Sequence, residues 1–92
     1  MVGTTETALF EQFLLSPNPT AGHAVLSLKL HKSAAIRVEV RDLAGRLVLE
    51  NPLLEASALN LPIDLSSSPA GVYSVSVWID NQVFVRKLAV IR

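Results

Sequence analysis

The chain has 92 residues, half of them hydrophobic and 17% charged, with eight acidic and eight basic side chains and a net charge of zero. That balance fits one globular domain, excludes an intrinsically disordered chain, and leaves no electrostatic footprint for nucleic acid or an anionic membrane surface. There is no cysteine, which excludes disulfides, thiolate metal sites and thiol redox chemistry.

Met1 to Gln12 is polar and threonine-rich, with one short apolar run at Ala8-Leu9-Phe10. It lacks the basic start and long apolar core of a signal peptide, so it reads as linker or appended residues. The longest apolar run in the chain is Leu88-Ala89-Val90-Ile91. A membrane helix needs about 20 apolar residues, so none is expected; nor is a membrane barrel, which closes an even set of longer strands.

Phe13-Leu14-Leu15 begins a strand, and Ser16-Pro17-Asn18-Pro19-Thr20-Ala21-Gly22 ends it. Each proline disfavours helix in the residue before it, so Asn18 should be extended in a rigid loop. Ala24 to Leu30 alternates, with Leu26, Leu28 and Leu30 on one face. Ala35 to Arg41 repeats the pattern, with Ile36, Val38 and Val40 opposite Arg37, Glu39 and Arg41. The alternation predicts two strands joined by a hairpin at His31-Lys32-Ser33, with the alternating charges on a solvated sheet face. Asp42-Leu43-Ala44-Gly45-Arg46 is a turn, with Gly45 suited to positive φ. Leu47-Val48-Leu49 is a strand, and Asn51 to Ala58 has no clear pattern. Leu59 to Leu65 alternates again and is expected at an edge because of Pro62.

Leu65-Ser66-Ser67-Ser68-Pro69-Ala70-Gly71 is turn-rich and leads into a strand, Val72 to Ile79. Asp80-Asn81-Gln82 then turns the chain into a last strand, Val83 to Ile91, which makes a β-hairpin. Tyr73, Val75, Val77 and Ile79 form its core face. Trp78 and Phe84 are expected to point outward, as a packed cross-strand pair or as a sugar- or protein-binding patch.

The total is about seven short strands with frequent turns and no sustained helical periodicity. That predicts an all-β fold, an immunoglobulin-like antiparallel β-sandwich. In such folds a tyrosine near the sixth strand bonds back to the loop before it, and Tyr73 is the candidate.

Little in the sequence points to catalysis. His23 and His31 lack a third ligand at metal spacing and read as exposed strand ends. Asp42, Asp64 and Asp80 lie at separate turns, where carboxylates cap backbone groups or bind calcium; with no dense oxygen-ligand loop, capping is the expected role. Ser66, Ser67 and Ser68 have no nucleophile-elbow context, and no glycine-rich phosphate loop is present. The chain is therefore not expected to be an enzyme.

Four segments recur in a recognisable order: Ser16-Pro17-Asn18-Pro19-Thr20-Ala21-Gly22; Val40-Arg41-Asp42-Leu43-Ala44-Gly45-Arg46-Leu47-Val48; Ile63-Asp64-Leu65-Ser66 with Pro69-Ala70-Gly71-Val72-Tyr73; and Arg86-Lys87-Leu88-Ala89-Val90. In order and spacing they resemble the type A C-terminal sorting domain of the type IX (Por) secretion system of Bacteroidota. The resemblance covers residues 13–92, with residues 1–12 as the linker. Ser68 departs from it, since an apolar residue is usual there.

The resemblance implies a C-terminal secretion signal. Its partners would be the type IX machinery, including an outer-membrane shuttle and a sortase-like peptidase, and an N-terminal cargo domain in the same chain. The route runs from the periplasm to the cell surface or medium, with cleavage near or before Phe13. No cofactor, metal or nucleic acid is implied. The candidate recognition residues are Pro17, Asn18, Pro19, Gly22, Asp42, Gly45, Arg46, Gly71, Tyr73, Arg86 and Lys87. Arg86 and Lys87 form a basic pair that either meets a receptor or keeps the last strand soluble. The rival expectation is a passive carbohydrate- or protein-binding sandwich of a secreted enzyme, because one fold serves many functions.

Overall fold

The computed structural model describes residues 10–92. Met1 to Leu9, most of the expected linker, lie outside the described residues. Five strands form one antiparallel sheet: β1 (Phe10–Ser16), β2 (His23–Arg41), β3 (Leu47–Asp64), β4 (Gly71–Ile79) and β5 (Gln82–Val90). The order is β1-β2-β4-β5, with β3 along the other edge of β2. Among the described residues no helix is long and apolar enough to cross a membrane.

Among the described residues the strand count is five rather than seven. All seven predicted runs lie in these strands, give or take a terminal residue, but four of them fuse in pairs into β2 and β3. The hairpin expected at His31-Lys32-Ser33 does not form. A hairpin would pair residues 24–30 with 35–41; instead both halves of β2 pair with β3. Lys29 faces Ala58 and the next paired residue, Ala34, faces Ala56, so β2 carries surplus residues at this point. Such a bulge bends a strand without ending it, and small side chains at Ala34, Ala35, Ala56 and Ala58 leave room for the bend. The patternless Asn51–Ala58 segment is the partner strand at the same corner.

The bend is required by size. A straight strand of 19 residues would span about 60 Å, against a longest molecular dimension of 39 Å. The N-terminal half of β2 lies between β1 and β3, and its C-terminal half lies between β4 and β3. The sheet thus curls over its own core. Among the described residues β3 pairs with β2 alone, which makes it an edge strand and accommodates Pro52 and Pro62.

The core follows the alternation. Leu26, Leu28, Leu30, Ile36, Val38 and Val40 are buried from β2, and Tyr73, Val75, Val77 and Ile79 from β4. Each such aliphatic side chain contributes about 1.5–3 kcal/mol when fully buried. Ile63 and Leu65 join the core, and Phe84, Leu88 and Val90 add to it from β5.

Two expectations about the outer surface are corrected. Phe84 points inward: the turn has two residues, Asp80 and Asn81, so Ile79 pairs with Gln82 and Phe84 sits opposite buried Val77. A three-residue turn would have placed Phe84 outside, since one residue of register flips a strand's faces. Phe84 packs edge-on against Phe10, 5.6 Å between ring centroids. The face carrying Arg37, Glu39 and Arg41 is also not freely solvated. Glu39 is only 7% exposed, paired with Arg37 on one side and with the Arg41 Nη2 at 3.1 Å on the other. Arg37 in turn covers the ring of Trp78 at 4.0 Å, so Trp78 and Phe84 form no shared patch.

Candidate recognition site

Four segments far apart in sequence meet at one end of the domain. They are the loop after β1, the turn between β2 and β3, the loop between β3 and β4, and the end of β5. The curl brings them together: His23, at the start of β2, faces Asp64, while Arg41, at its end, faces Ser74 near the start of β4.

The loop after β1 covers the outer edge of β5. Prolines 17 and 19 have no amide hydrogen to donate, and the Asn18 side chain supplies the pairing. Its Nδ2 donates to the Lys87 carbonyl at 2.7 Å, and its Oδ1 accepts from the Ala89 amide at 3.1 Å. Thr20 continues the pairing through its backbone, donating to the Ala89 carbonyl at 2.9 Å and accepting from Ile91 at 2.8 Å. The Ser16–Pro17 and Asn18–Pro19 peptide bonds are both cis. Thr20 is 2% exposed, and its hydroxyl donates to the His23 carbonyl and accepts from the Gly22 amide. Gly22 is required by close approach: a Cβ there would lie 3.2 Å from the Ser66 Cα.

The turn at residues 42–46 is wound around one carboxylate. Asp42 Oδ1 accepts from the amides of Ala44 and Arg46, each at 2.9 Å, and Oδ2 accepts from Arg46 Nε at 2.9 Å. Gly45, at φ +85°, adopts a conformation that other residues rarely take, and its carbonyl accepts from Arg41. The Arg46 amide, helped by its guanidinium, holds the Asp42 carboxyl below the usual carboxylate range. Asp64 does the same work at the next loop. The Ser66 hydroxyl and amide lower its pKa, and His23 Nε2 lies 3.2 Å from its Oδ1.

The third segment carries the tyrosine corner. Tyr73 is buried and its hydroxyl donates to the Pro69 carbonyl. Ser68, where the resemblance expects an apolar side chain, is anchored instead through its backbone, donating to Leu65 and accepting from Arg92.

The turn at 42–46 and the loop at 68–73 face each other across an open cleft of about 570 Å³. Asp42, Arg46, Gly71 and Tyr73 line it, and Leu43 stands at its rim with 81% of its surface exposed. Pro17, Asn18, Pro19 and Gly22 belong to the neighbouring loop that binds β5. Arg86 and Lys87 lie on opposite faces of β5, because successive residues of a strand face opposite ways. The Arg86 guanidinium lies 4.6 Å from the centre of the Phe13 ring, whereas Lys87 is exposed.

Sequence inspection missed Thr20 and Arg92. Thr20 had a usable signal, as the one residue after two prolines able to resume backbone pairing; Arg92 had none. Among the described residues no three His, Cys, Asp or Glu side chains gather as metal ligands. What the arrangement offers is a firmly held surface built by four motifs.

Residues 15–91 match the model of a family described as the secretion system C-terminal sorting domain. No curated protein matches the chain.

Proposed function

This chain belongs to the family of type IX secretion C-terminal sorting domains, and from that premise we propose that residues 13–92 are a folded export label whose motif-bearing end is read by the secretion machinery. The observation carrying this proposal is the convergence of the four motifs on one end of the sheet, two of them forming opposite walls of one cleft. Pro17, Asn18, Pro19 and Gly22 brace that end, Asp42, Gly45 and Arg46 shape one wall, and Gly71 and Tyr73 shape the other. The family is one of sorting signals rather than enzymes, and the domain accompanies a protein bound for the cell surface or beyond.

In the proposed route a cargo domain precedes residue 13 in the same chain and reaches the periplasm of a member of the Bacteroidota. An outer-membrane shuttle carries the labelled cargo across. A sortase-like peptidase then cuts near or before Phe13. The two halves of the curled sheet serve as the layers of an immunoglobulin-like sandwich, with β2 and β3 each counted once per layer.

The test is a fusion of the 92-residue chain behind a periplasmic reporter in a type IX-competent cell. The reporter is expected at the surface or in the medium, with the label removed, as mass spectrometry of the exported product would show. A fusion that stays folded in the periplasm sinks the sorting role and favours a passive binding module.

A further inference from the structure

Arg92 makes three contacts that join loops distant in sequence. Its Nη1 donates to the Ala21 carbonyl at 3.0 Å. Its Nη2 donates to the Leu65 carbonyl at 2.8 Å and also to the Ser68 carbonyl. The two loops already touch: the Leu65 amide donates to the Gly22 carbonyl at 2.7 Å. A Cβ on Gly22 would lie 3.4 Å from Arg92 Nη1, so backbone, glycine and guanidinium are packed together. Three carbonyl oxygens converging on one point form a region of partial negative charge. A planar guanidinium with five N–H donors can satisfy all three at once. A lysine ammonium brings the charge but not the fork.

We propose that Arg92 is a positioning residue for sorting: it clamps the 65–71 loop to the 20–22 loop and so sets the shape of the motif-bearing end. The inference rests on the proposal that this end is what the machinery reads. Residues 68–71 form one wall of the cleft, and their placement relative to Asp42 and Arg46 depends on where the loop is fastened. On the side of Ser68 the fastening runs through its carbonyl to Arg92, and on the side of Pro69 through its carbonyl to Tyr73.

The test compares the unaltered 92-residue chain with Arg92→Ala and Arg92→Lys. Amide hydrogen exchange is followed by NMR at Gly22, Leu65 and Ser68, and at Val38, Val40 and Val75 as core references. In Arg92→Ala the three loop amides should exchange roughly tenfold faster or more while the core amides hold, because the opening is local. Arg92→Lys should recover part of the protection. In the reporter fusion, export should fall with loop protection, with Arg92→Lys between the other two. Three results overturn the proposal: unchanged loop exchange, core amides accelerated as much as the loops, or full export from a loosened Arg92→Ala domain. An unaltered fusion that is not exported counts against the sorting role, and the exchange data alone then decide whether Arg92 clamps the loops.

Discussion

The Asn18 side chain pairs with Lys87 as a neighbouring strand would, its amide donating to the Lys87 carbonyl at 2.7 Å while its oxygen receives the Ala89 amide. One side chain thus stands in for a peptide group at a place where flanking prolines cannot pair. It ties the first loop to the last strand.

Replacing Asn18 with alanine removes both bonds. The site is exposed, so water compensates in part, and the expected loss is about 1–2 kcal/mol in chemical denaturation. Asn18→Asp keeps the acceptor for Ala89 but turns a second oxygen toward the Lys87 carbonyl, so it should be at least as damaging as alanine at neutral pH. An unaffected Asn18→Asp would show that the donor half of the pairing is dispensable.

Tyr73→Phe removes only the bond to Pro69 and should lower stability by roughly 0.5–1.5 kcal/mol. Tyr73→Ala also empties buried volume and should cost about 3–5 kcal/mol. Equal losses for the two variants would mean that the ring contributes nothing beyond its hydroxyl.

Phe84→Ala should cost about 3–5 kcal/mol, as for a buried aromatic, and should weaken the docking of β1 through Phe10. Trp78→Ala, on the outer face, should be clearly milder. Thermal melting of both variants decides whether the register across Asp80 and Asn81 is right.

Acid should weaken the domain in a defined window. Asp42 and Asp64 have folded pKa values below the unfolded value of about 3.9. Their stabilisation is therefore complete above that value and is lost as pH falls through the folded pKa values. Asp42→Asn can still accept the Ala44 and Arg46 amides but cannot titrate. Its stability should depend less steeply on pH below about 4 than that of the unaltered chain. Identical acid profiles would remove Asp42 from the account.

The faces of the strands were legible because alternation is a direct readout of which side is buried. Leu26 to Leu30, Ile36 to Val40 and Tyr73 to Ile79 fall on the core side as their spacing requires. The corner at His31-Lys32-Ser33 was not legible, because three polar residues in a row signal either a chain reversal or a bulge. The choice depends on β3, which lies elsewhere in sequence. The inward placement of Phe84 hung on one residue of turn length. The four motifs were visible as sequence, but their meeting at one end follows from the bend in β2, which no local pattern encodes. The role of Arg92 depends on three backbone carbonyls, and carbonyls leave no mark on a sequence.

The pairing of β1 bears on how the domain would carry a load. Phe10 starts β1 beside Leu30 near the corner, and Ser16 ends it beside Val25 next to the motif-bearing loops. A pull applied through whatever precedes Phe10, with the motif-bearing end held, runs along the axis of β1. Its bonds to β2 are then strained together in shear instead of being unzipped one at a time. Geometry alone makes the joint strong in the direction of towing and weak to a sideways tug.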